Sequence, residues 1–347
     1  MRAIVLHGPN DLRQEEVPLP VLQPGELLVR TRAAAVCGTD LRIIAGTKTR
    51  GVTIPGIIGH ELAGDVAELA DPVANFRVGD RVCVAPIIAC GHCYYCTHGL
   101  ENLCGDQQII GYNHSGGFAE YVRVPARAVA AGNVFRLPPG VTYEEGALVE
   151  PLSCCVNGHE KSRLRFGQSV LIVGAGPIGL LHLQLALAAG AAQVIISESL
   201  PGRRRKAAEM GASAVVDPAN EDLAAVVRAR TAGVGVDAIV MAFGAPELVN
   251  STFSLARKGG VVNLFAGFPG RGEAVIEANL IHYNETTVVG TSSSTNHHFA
   301  KALALVARGN VDVGSLVGRV YGLAEVDKAI AAVRGHETLK AVLHPDE

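Results

Sequence analysis

The 347-residue sequence lacks tryptophan, is poor in other aromatic residues and carries a net charge of only −3. Because it has no basic stripe and no polybasic segment, it offers no electrostatic surface to nucleic acid or anionic lipid, and we expect neither as a partner. Its longest apolar stretch, residues 170–189, is interrupted by Gly, Pro, His and Gln, which argues against a membrane span. The amino-terminal run "AIVL" is too short for a signal peptide core, so we expect a cytoplasmic protein.

The sequence is long and apolar enough for two domains, each with its own core, and its 40 glycines indicate many tight turns. Residues 1–150 contain short β-rich runs bounded by Gly, Pro or Asp, such as "GELLVRTRAAAVC", "ELAGDVAEL" and "VGDRVCVAP". Regular short strands of this kind predict a small barrel or sandwich. The stretch "PPGVTYEEGALVEP" closes this region and is predicted to be a turn.

From about Gly167 onward, apolar strands alternate with helices. The successive segments are "SVLIVGAGPIGLLHLQLALAAGA", "AQVIISES", "PGRRRKAAEMG", "AVVD", "NEDLAAVVRART", "VDAIVMAFG", "PELVNSTFSLARKGG" and "VVNLFAGFP". Continuously apolar strands in such an alternation predict a parallel sheet with helices on both faces. After Gly290 the sequence predicts one clear helix, "HHFAKALALVARG", and a short closing strand, "LKAVLH".

Four of the eight cysteines occur in the fifteen residues "CGHCYYCTHGLENLC", with the spacing C-x2-C-x2-C-x7-C. A reducing compartment disfavours disulfides, so four closely spaced thiols favour a tetrahedral zinc site over disulfides or free thiols. Bacterial ferredoxins share C-x2-C-x2-C, but the following Cys and Pro of that pattern are absent here. A closed four-thiolate site leaves no position for substrate, so this zinc is expected to be structural. Its predicted ligands are Cys90, Cys93, Cys96 and Cys104.

Three of the other cysteines are not expected to bind metal. Cys83, Cys154 and Cys155 lack ligand spacing and are predicted to be core residues.

The segment from Gly174 to Gly179, with sequence "GAGPIG", matches G-x-G-x-x-G between a predicted strand and a predicted helix. In that setting Gly174 permits the tight turn, Gly176 lets the backbone approach a pyrophosphate, and Gly179 allows close helix–strand packing. Pro177 and Ile178 then open the helix, whose amino terminus offers amide donors to phosphate. The pattern predicts a dinucleotide site.

Glu198 stands at the end of the second strand of this region, nineteen residues after Gly179. An acid there can accept hydrogen bonds from both ribose hydroxyls and repels a 2′-phosphate, which favours NAD; the alternative is a solvated carboxylate at a strand end. Arg203, Arg204 and Arg205 could admit the extra phosphate of NADP. We expect them instead to form the exposed face of the next helix, with Arg203 against the adenine side.

Three further motifs are ambiguous when each is taken alone. They are Cys37-Gly-Thr39-Asp40, Gly59-His60-Glu61 and Glu150-Pro151. A single His is more often a packed or surface residue than a ligand, and Cys37 alone would be a small apolar core residue. Glu150 fits the first turn of a helix that begins at Pro151.

Together, in this fixed order with the four-cysteine lobe and the glycine fingerprint, these motifs resemble the zinc-dependent medium-chain alcohol dehydrogenases. The resemblance covers essentially all 347 residues and is to the polyol branch, typified by sorbitol and threonine dehydrogenases. It implies that Cys37, His60 and Glu61 bind catalytic zinc, with Glu150 beside the metal as an alternative or second-shell ligand.

The resemblance also implies an α/β fold with two domains. A GroES-like β-barrel catalytic domain would comprise residues 1–151, with residues 290–347 returning to it. A Rossmann domain with a doubly wound parallel sheet would comprise residues 152–289, and catalysis would take place in the cleft between the domains. A homo-oligomer, tetramer or dimer, joined through the Rossmann domains is implied as well.

The implied activity is reversible hydride transfer from a secondary alcohol of a polyol, sugar-like or cyclitol substrate to NAD⁺, with two zinc ions per chain. Zinc would lower the pKa of the alcohol and polarise the ketone in reverse. Thr39 is the implied first proton acceptor; the alternative is a strand threonine hydrogen-bonded to backbone.

Some residues depart from the resemblance and leave the substrate open. Arg42 stands where threonine dehydrogenases have His, and Ile43 stands where sorbitol dehydrogenases have Tyr. Ser292 and Ser293 replace an aromatic–Arg pair, so the contacts that grip sorbitol are expected to be absent.

His297 and His298 are expected to be water-facing residues at a helix start. Two alternatives remain: an L-threonine 3-dehydrogenase in which Arg42 meets the carboxylate, and a non-catalytic relative that binds dinucleotide. Such a relative is expected to have lost zinc ligands, whereas this sequence retains every candidate position.

Overall fold

The computed structural model describes residues 1–268 and 270–346, which separate into two units. The first unit consists of residues 1–153 and 294–346, and the second of residues 154–293. Pro269 ends one predicted strand segment and Glu347 ends the predicted catalytic domain; both lie outside the described residues.

The first unit is mainly antiparallel. Its strands are β1 (Arg2–Gly8), β2 (Asp11–Glu16), β3 (Leu27–Ala35), β4 (Gly56–Ile57), β5 (Glu61–Leu69), β6 (Arg81–Val84), β7 (Ile87–Ile88), β8 (Gln108–Ile109), β9 (Tyr121–Val124), β10 (Val134–Arg136), β17 (Val317–Gly322) and β18 (Lys340–His344). Its helices are α1 (Gly38–Ile44), α2 (Tyr94–Thr97), α3 (Ala126–Ala130), α4 (Tyr143–Ala147), α11 (Asn296–Ala307) and α12 (Val326–Arg334), and α5 (Val149–Ser162) begins here and continues into the second unit.

A seven-stranded sheet with the order β10-β6-β5-β3-β18-β17, in which β9 also pairs with β3, forms the centre of this unit. A second sheet, β2-β1-β4, contributes to the same apolar core, where Ile4, Leu62, Phe118 and Leu343 are fully buried. Burial of these side chains is the main favourable contribution to the stability of the unit.

The register of three neighbouring strands explains where the candidate ligands lie. Ala35 at the end of β3 pairs with Glu61 at the start of β5, and Val342 of β18 pairs with Ala35 on the other side. Cys37 follows β3 by two residues, and Lys340 lies two residues before Val342. The ends of β3, β5 and β18 therefore meet at one edge of the sheet.

The second unit is a parallel α/β unit. Its strands are β11 (Ser169–Val173), β12 (Gln193–Ser197), β13 (Ala214–Val216), β14 (Val236–Met241), β15 (Ala256–Leu264) and β16 (Thr287–Gly290). Its helices are α6 (Pro177–Ala188), α7 (Pro201–Glu209), α8 (Leu223–Arg230), α9 (Pro246–Phe253) and α10 (Ala278–His282).

All five strand pairings in this unit are parallel, with the order β13-β12-β11-β14-β15-β16. The direction of the order reverses between β11 and β14, and open sheets bind ligands at such a reversal, outside the carboxyl ends of the strands. The predicted parallel sheet is confirmed.

Several local predictions were wrong. The helix predicted over "PELVNSTFSLARKGG" ends at Phe253, because the backbone from Ala256 onward already pairs with β14. Helix α12 and strand β17 were not predicted, and the stretch expected to close the region with an acidic turn contains helix α4. Glu150 lies in the first turn of α5, as the helix alternative for this residue predicts. No helix among the described residues combines the length and apolar character needed to cross a bilayer.

The cysteines predicted to be core residues divide into two groups. Cys83 and Cys155 are fully buried, which confirms the prediction for both. Cys154 is only half-buried, because it occupies a position of α5 that the core does not fully cover.

Candidate active site

The four-cysteine lobe brings its sulfur atoms into one small group. Cys90 Sγ lies 3.8 Å from Cys96 Sγ, and Cys93 Sγ lies 3.5 Å from Cys96 Sγ and 3.9 Å from Cys104 Sγ. A tetrahedral zinc ion with Zn–S bonds of about 2.3 Å requires sulfur–sulfur distances of about 3.8 Å. All four cysteines are free thiols rather than disulfides, and their spacing fits zinc.

The loop that carries these cysteines lowers the pKa of two of them, Cys90 and Cys93. The backbone N–H of Cys90 donates to Cys104 Sγ, and that of Cys93 donates to Cys90 Sγ, both at 3.3 Å. A hydrogen bond from the backbone of Cys96 lowers the pKa of Cys93 to about 6. The thiolate is the form that binds metal, so the loop prepares Cys93 for a metal ion. Burial raises the pKa of Cys96 to about 12, so this thiol needs the metal itself to lose its proton.

A second group of donors lies where β3 and β5 meet. One donor atom from each of Cys37, His60 and Glu61 lies within 4.8 Å of the others. His60 and Glu61 are buried, whereas Cys37 is half-buried. Three protein donors leave a fourth tetrahedral position open, as in catalytic zinc sites.

Gly59 makes this approach possible. Its φ is +97°, and a Cβ at this position would lie 2.5 Å from the ring of Phe118. Only glycine fits this turn without displacing the ring, and the turn leads directly into His60 and Glu61.

Asp40 orients two of the donors and was not identified from the sequence. It is fully buried in the first turn of α1, and its Oδ2 accepts a hydrogen bond of 2.8 Å from the backbone N–H of Cys37. Its Oδ1 lies 3.2 Å from Nδ1 of His60, which leaves Nε2 of the imidazole for a metal. Burial lowers the pKa of His60, but the charges of Asp40 and Cys37 outweigh it and raise that pKa well above its usual value.

Lys340 also contacts the donor group and was not identified from the sequence. Its side chain is buried, and Nζ lies 2.6 Å from both carboxylate oxygens of Glu61 and 3.4 Å from the carbonyl oxygen of Val36. Burial lowers the pKa of Lys340, but the charge of Glu61 outweighs it and raises the pKa. The only signal in the sequence was a lysine at the start of the apolar strand "LKAVLH".

Tyr112 is a third residue that the sequence did not single out. Its ring packs edge-on against the His60 ring, with centroids 5.6 Å apart. Burial raises the pKa of Tyr112 to about 12, so the phenol stays neutral and can donate a hydrogen bond.

Thr39 and Glu150 lie next to the donor group rather than within it. Thr39 sits in the first turn of α1, not in a strand, and its Oγ1 accepts a hydrogen bond of 3.0 Å from Nη2 of Arg42. Glu150, in the first turn of α5, is buried but does not belong to the group of donors within 4.8 Å. The charge of Glu150 nevertheless raises the pKa of Lys340, so Glu150 lies close enough to the donor group to act on its lysine partner electrostatically.

The glycine loop of the second unit has little room for side chains. Gly174 has a φ of +98°, and a Cβ on Gly179 would lie 1.9 Å from the carbonyl oxygen of Gly174. A Cβ on Gly176 would meet only the Arg203 guanidinium, at 3.6 Å. Pro177 and Ile178 open helix α6, so backbone amides at its start are available to a phosphate.

Glu198 is buried directly after β12. Its carboxylate accepts hydrogen bonds from the backbone N–H of Ala175, at 2.7 Å, and of Leu200, at 2.8 Å. The Ser199 hydroxyl donates a third hydrogen bond, at 3.4 Å, so about one of the four lone-pair positions of the carboxylate remains for a further donor. The side chain thus ties the glycine loop to the end of the second strand.

The arginines after Glu198 do not form one exposed face, and this prediction was wrong. Arg204 is half-buried, because it pairs with Asp217 at 2.9 Å and donates to the carbonyl oxygen of Glu198 at 3.0 Å. Arg203 is half-buried near Gly176, and Arg205 alone is exposed.

The two histidines at 297 and 298 lie at the start of α11, as predicted. His297 is exposed. His298 is half-buried, and its Nδ1 accepts a hydrogen bond of 3.1 Å from the backbone N–H of Thr295, the helix cap.

Comparison with known proteins agrees with this geometry. Residues 23–139 match the family profile described as alcohol dehydrogenase GroES-like domain, and residues 177–308 match that of zinc-binding dehydrogenase. Sorbitol dehydrogenase of Bacillus subtilis is 31% identical, over 100% of this chain and 98% of its own length. L-threonine 3-dehydrogenase of Pyrococcus furiosus is 36% identical, over 94% of this chain and 93% of its own.

The chain belongs to the zinc-dependent medium-chain alcohol dehydrogenases. A zinc-binding dehydrogenase from Sinorhizobium meliloti, solved bound to NADP, superimposes on this dehydrogenase with a TM-score of 0.91 and 34% identity, over 99% of both chains. The resemblance, the two-part fold and the assignment as an oxidoreductase of the zinc-binding, NAD(P)-dependent class are therefore confirmed.

Proposed function

We propose that this dehydrogenase oxidises a secondary alcohol of a polyol, sugar-like or cyclitol substrate to a ketone, with NAD⁺ as the hydride acceptor, and catalyses the reverse reaction. The observation that carries this proposal is the convergence of Cys37, His60 and Glu61 within 4.8 Å. One thiolate, one imidazole and one carboxylate with an open fourth position are the donor set of a catalytic zinc site.

We propose two zinc ions per chain. The structural ion would bind Cys90, Cys93, Cys96 and Cys104, whose sulfur spacing supports this assignment. The catalytic ion would bind Cys37, His60 and Glu61, and there it would lower the pKa of the substrate hydroxyl and polarise the corresponding ketone. Glu150 would act beside it as an alternative or second-shell ligand.

Thr39 is proposed as the residue that takes the proton. Bound NAD⁺ would supply the acceptor for the carbinol hydrogen and its electron pair, and the hydroxyl proton would pass to Thr39 Oγ1 and on to solvent. Arg42 donates one hydrogen bond to this oxygen, which leaves the threonine O–H free to pass its own proton onward.

A pair of variants tests this role. Thr39→Val should lower kcat by about a hundredfold and shift its pH profile, because a proton acceptor contributes that order of magnitude. Thr39→Ser, which keeps the hydroxyl, should retain most of the activity. Equal loss in both variants, with an unchanged profile, would show that Thr39 only packs.

We propose that the second unit binds NAD in preference to NADP. The support is Glu198, whose buried carboxylate lies next to the glycine loop and would meet the adenosine ribose. A carboxylate accepts hydrogen bonds from ribose hydroxyls and repels a 2′-phosphate. Gly174, Gly176 and Gly179, with the start of α6 at Pro177 and Ile178, would hold the pyrophosphate, and Arg203 would lie along the adenine. Glu198→Ala should reduce the preference for NAD over NADP, measured as the ratio of kcat/KM for the two cofactors.

The proposed domain roles follow from these assignments. Residues 1–151 and 290–347 would form the catalytic domain and residues 152–289 the cofactor domain. We also infer a reducing compartment such as the cytoplasm, because none of the eight cysteines, all of which lie among the described residues, forms a disulfide.

A homo-oligomer, dimer or tetramer, joined through the Rossmann domains is proposed as well. Val275 and Tyr283 of the second unit are 83% and 72% exposed, and such apolar side chains favour contact with another copy. Val275→Asp should lower the molar mass measured by light scattering if this surface joins the subunits.

The deciding experiment is NADH appearance across polyols, cyclitols, amino alcohols and simple secondary alcohols. Turnover of a polyol or cyclitol supports the proposal, and strong preference for L-threonine would favour the second candidate, L-threonine 3-dehydrogenase. Arg42, which could meet a carboxylate, is the observation in favour of that candidate. A zinc count of two per chain separates both enzymes from a non-catalytic relative.

A further inference from the structure

The loop between α1 and β4 lies beside the candidate metal ligands and carries two cations, Lys48 and Arg50, and a third cation, Arg42, lies in α1 just before it. It is fixed at its start, where the backbone N–H groups of Thr47 and Lys48 donate to the carbonyl oxygen of Arg42 at 3.0 and 3.1 Å. At its end, the backbone N–H of Thr53 donates to the carbonyl oxygen of Tyr112 at 3.0 Å. The backbone of the loop is therefore anchored to α1 and to Tyr112, which lie next to the candidate metal ligands.

Lys48 and Arg42 each contact a residue that lies next to the donor group. Lys48 Nζ lies 5.2 Å from the centroid of the Tyr112 ring, which in turn packs against His60. Arg42 donates to Thr39, two residues after Cys37. Lys48 Nζ donates a hydrogen bond of 3.0 Å to the backbone carbonyl oxygen of the third cation, Arg50. The exposed charge of Arg50 is close enough to lower the pKa of Lys48.

No carboxylate balances these charges in the part of the chain that the structure describes. Burial lowers the pKa of Lys48, and the charges of Arg42 and Arg50 lower it further, without an acid to offset them. Other arginines of this unit have such a partner; Arg32, for example, lies 2.7 Å from Asp65. Gathering like charges without a counterion costs free energy, and such a cluster is complementary to an anion.

From this arrangement we infer that Arg42, Lys48 and Arg50 form an anion subsite, and that the alcohol oxidised here carries a carboxylate or a phosphate group. This inference rests on the proposed function, because it assumes that the hydroxyl of the substrate reaches the proposed catalytic zinc. The guanidinium groups suit the planar, two-oxygen geometry of these anions, and the lysine ammonium acts as a point charge. Tyr112 would form the wall that both the anion and the carbinol contact.

The test uses three substrates with one carbon skeleton: galactitol, L-galactonate and galactitol 1-phosphate. For the zinc-loaded wild-type protein, kcat/KM for one of the two anions should exceed that for galactitol by about tenfold or more, which is the contribution of a charge-assisted hydrogen bond. The anion that wins distinguishes a carboxylate subsite from a phosphate subsite. Added salt should reduce this ratio, because it screens the attraction.

Variants then assign the effect to the subsite. Lys48→Met and Arg50→Gln should each lower the ratio of kcat/KM for the anion over galactitol by about tenfold, whereas Lys48→Arg should preserve it. Lys328→Gln is the matched control, because it removes an exposed lysine of the same unit that is already paired with Glu325. It should leave the ratio unchanged.

The outcomes that overturn the inference are distinct from failure of the proposed function. Wild-type preference for galactitol over both anions would refute the subsite while leaving the dehydrogenase assignment intact. A rise in the Kd of NADH in Lys48→Met and Arg50→Gln, with an unchanged substrate ratio, would show that the cations serve the cofactor phosphates instead. No NADH from any alcohol, neutral or anionic, would count against the proposed function itself.

Discussion

The two groups of metal donors in the first unit are built in opposite ways. The four-cysteine lobe takes one type of donor from fifteen consecutive residues, on a loop around the short helix α2. The second group takes a thiolate, an imidazole and a carboxylate from the ends of β3 and β5, and its carboxylate is paired with a lysine from β18. One group is local and chemically uniform, whereas the other is assembled by the sheet.

From this difference we assign a stabilising role to the four-cysteine lobe and a catalytic role to the second group. A local set of four thiolates can close around a metal with little help from the rest of the fold, and a closed shell is inert. The second group has a mixed donor set, an open position and buried charges, Asp40 and Lys340, that hold the ligands in place. The proposed catalytic role therefore falls to the group whose geometry depends on the whole sheet.

The largest expected effect is that of His60→Ala. Loss of this ligand should reduce kcat by at least about a thousandfold, because the charge stabilisation that zinc supplies amounts to several kcal/mol. Zinc content should fall from two ions per chain to one. NADH binding, followed by fluorescence, should persist, since the glycine loop belongs to the other unit.

Simultaneous loss of NADH binding in His60→Ala would contradict the independence of the two sites. A His60→Ala variant that keeps both zinc ions and still catalyses turnover would contradict the different roles assigned to the two donor groups.

Lys340→Met is expected to have the next largest effect. The substitution leaves the Glu61 carboxylate buried without its counter-charge, and breaking a buried pair on one side costs about 3–5 kcal/mol. The loss should be measured as the free energy of unfolding of the zinc-depleted protein in urea. Zinc should restore part of it, because the metal supplies a new partner for the carboxylate.

The matched control is Lys328→Met, which removes an exposed lysine paired with Glu325 and should change stability by less than about 1 kcal/mol. Equal losses of unfolding free energy in the two variants would show that the buried Lys340–Glu61 pair stabilises the protein no more than an exposed pair does.

Asp40→Asn should have a smaller effect, because it keeps the shape and removes only the charge behind His60. Loss of such a partner to a metal-bound histidine costs about 10–100-fold in metal affinity. Competition with a chelator should show weaker binding of one zinc ion only. Weakening of both ions would mean that the two groups are coupled.

Cys93→Ser is expected to have the smallest effect on the chemical step. It should lower the yield of soluble, assembled protein by severalfold, because the lobe loses its metal, while kcat per folded chain stays within about twofold. A soluble, stable variant with both zinc ions would contradict the structural role. A large drop in kcat at unchanged yield would move the lobe into the catalytic machinery.

Patterns contained within one stretch of sequence predicted their structure well. The glycine fingerprint lies between β11 and α6, and the cysteine spacing brings four sulfur atoms together, because the ligand or turn in each motif depends only on nearby residues. The resemblance to a known family joined Cys37 to His60 and Glu61, which no local pattern could have done.

Asp40 and Lys340 could not be predicted in the same way. The role of Asp40 depends on the orientation of a ring twenty residues later, and Lys340 meets Glu61 across 279 residues of sequence. That meeting is fixed by the register of β18 on β3, which places Lys340 beyond the end of the strand that leads to Cys37. Nothing in the sequence distinguishes the lysine before "AVLH" from an ordinary polar residue at the start of a strand.

The pairing of Lys340 with Glu61 has a consequence for biosynthesis. At about 5–20 residues per second, the ribosome adds the lysine roughly 15–60 seconds after the glutamate. For most of that interval, from the addition of Cys104 onward, the nascent polypeptide has all four cysteines of the lobe, but the other donor group still lacks its cationic counterpart. The proposed reactive centre therefore has its lysine partner only after the last strand, β18, has been translated.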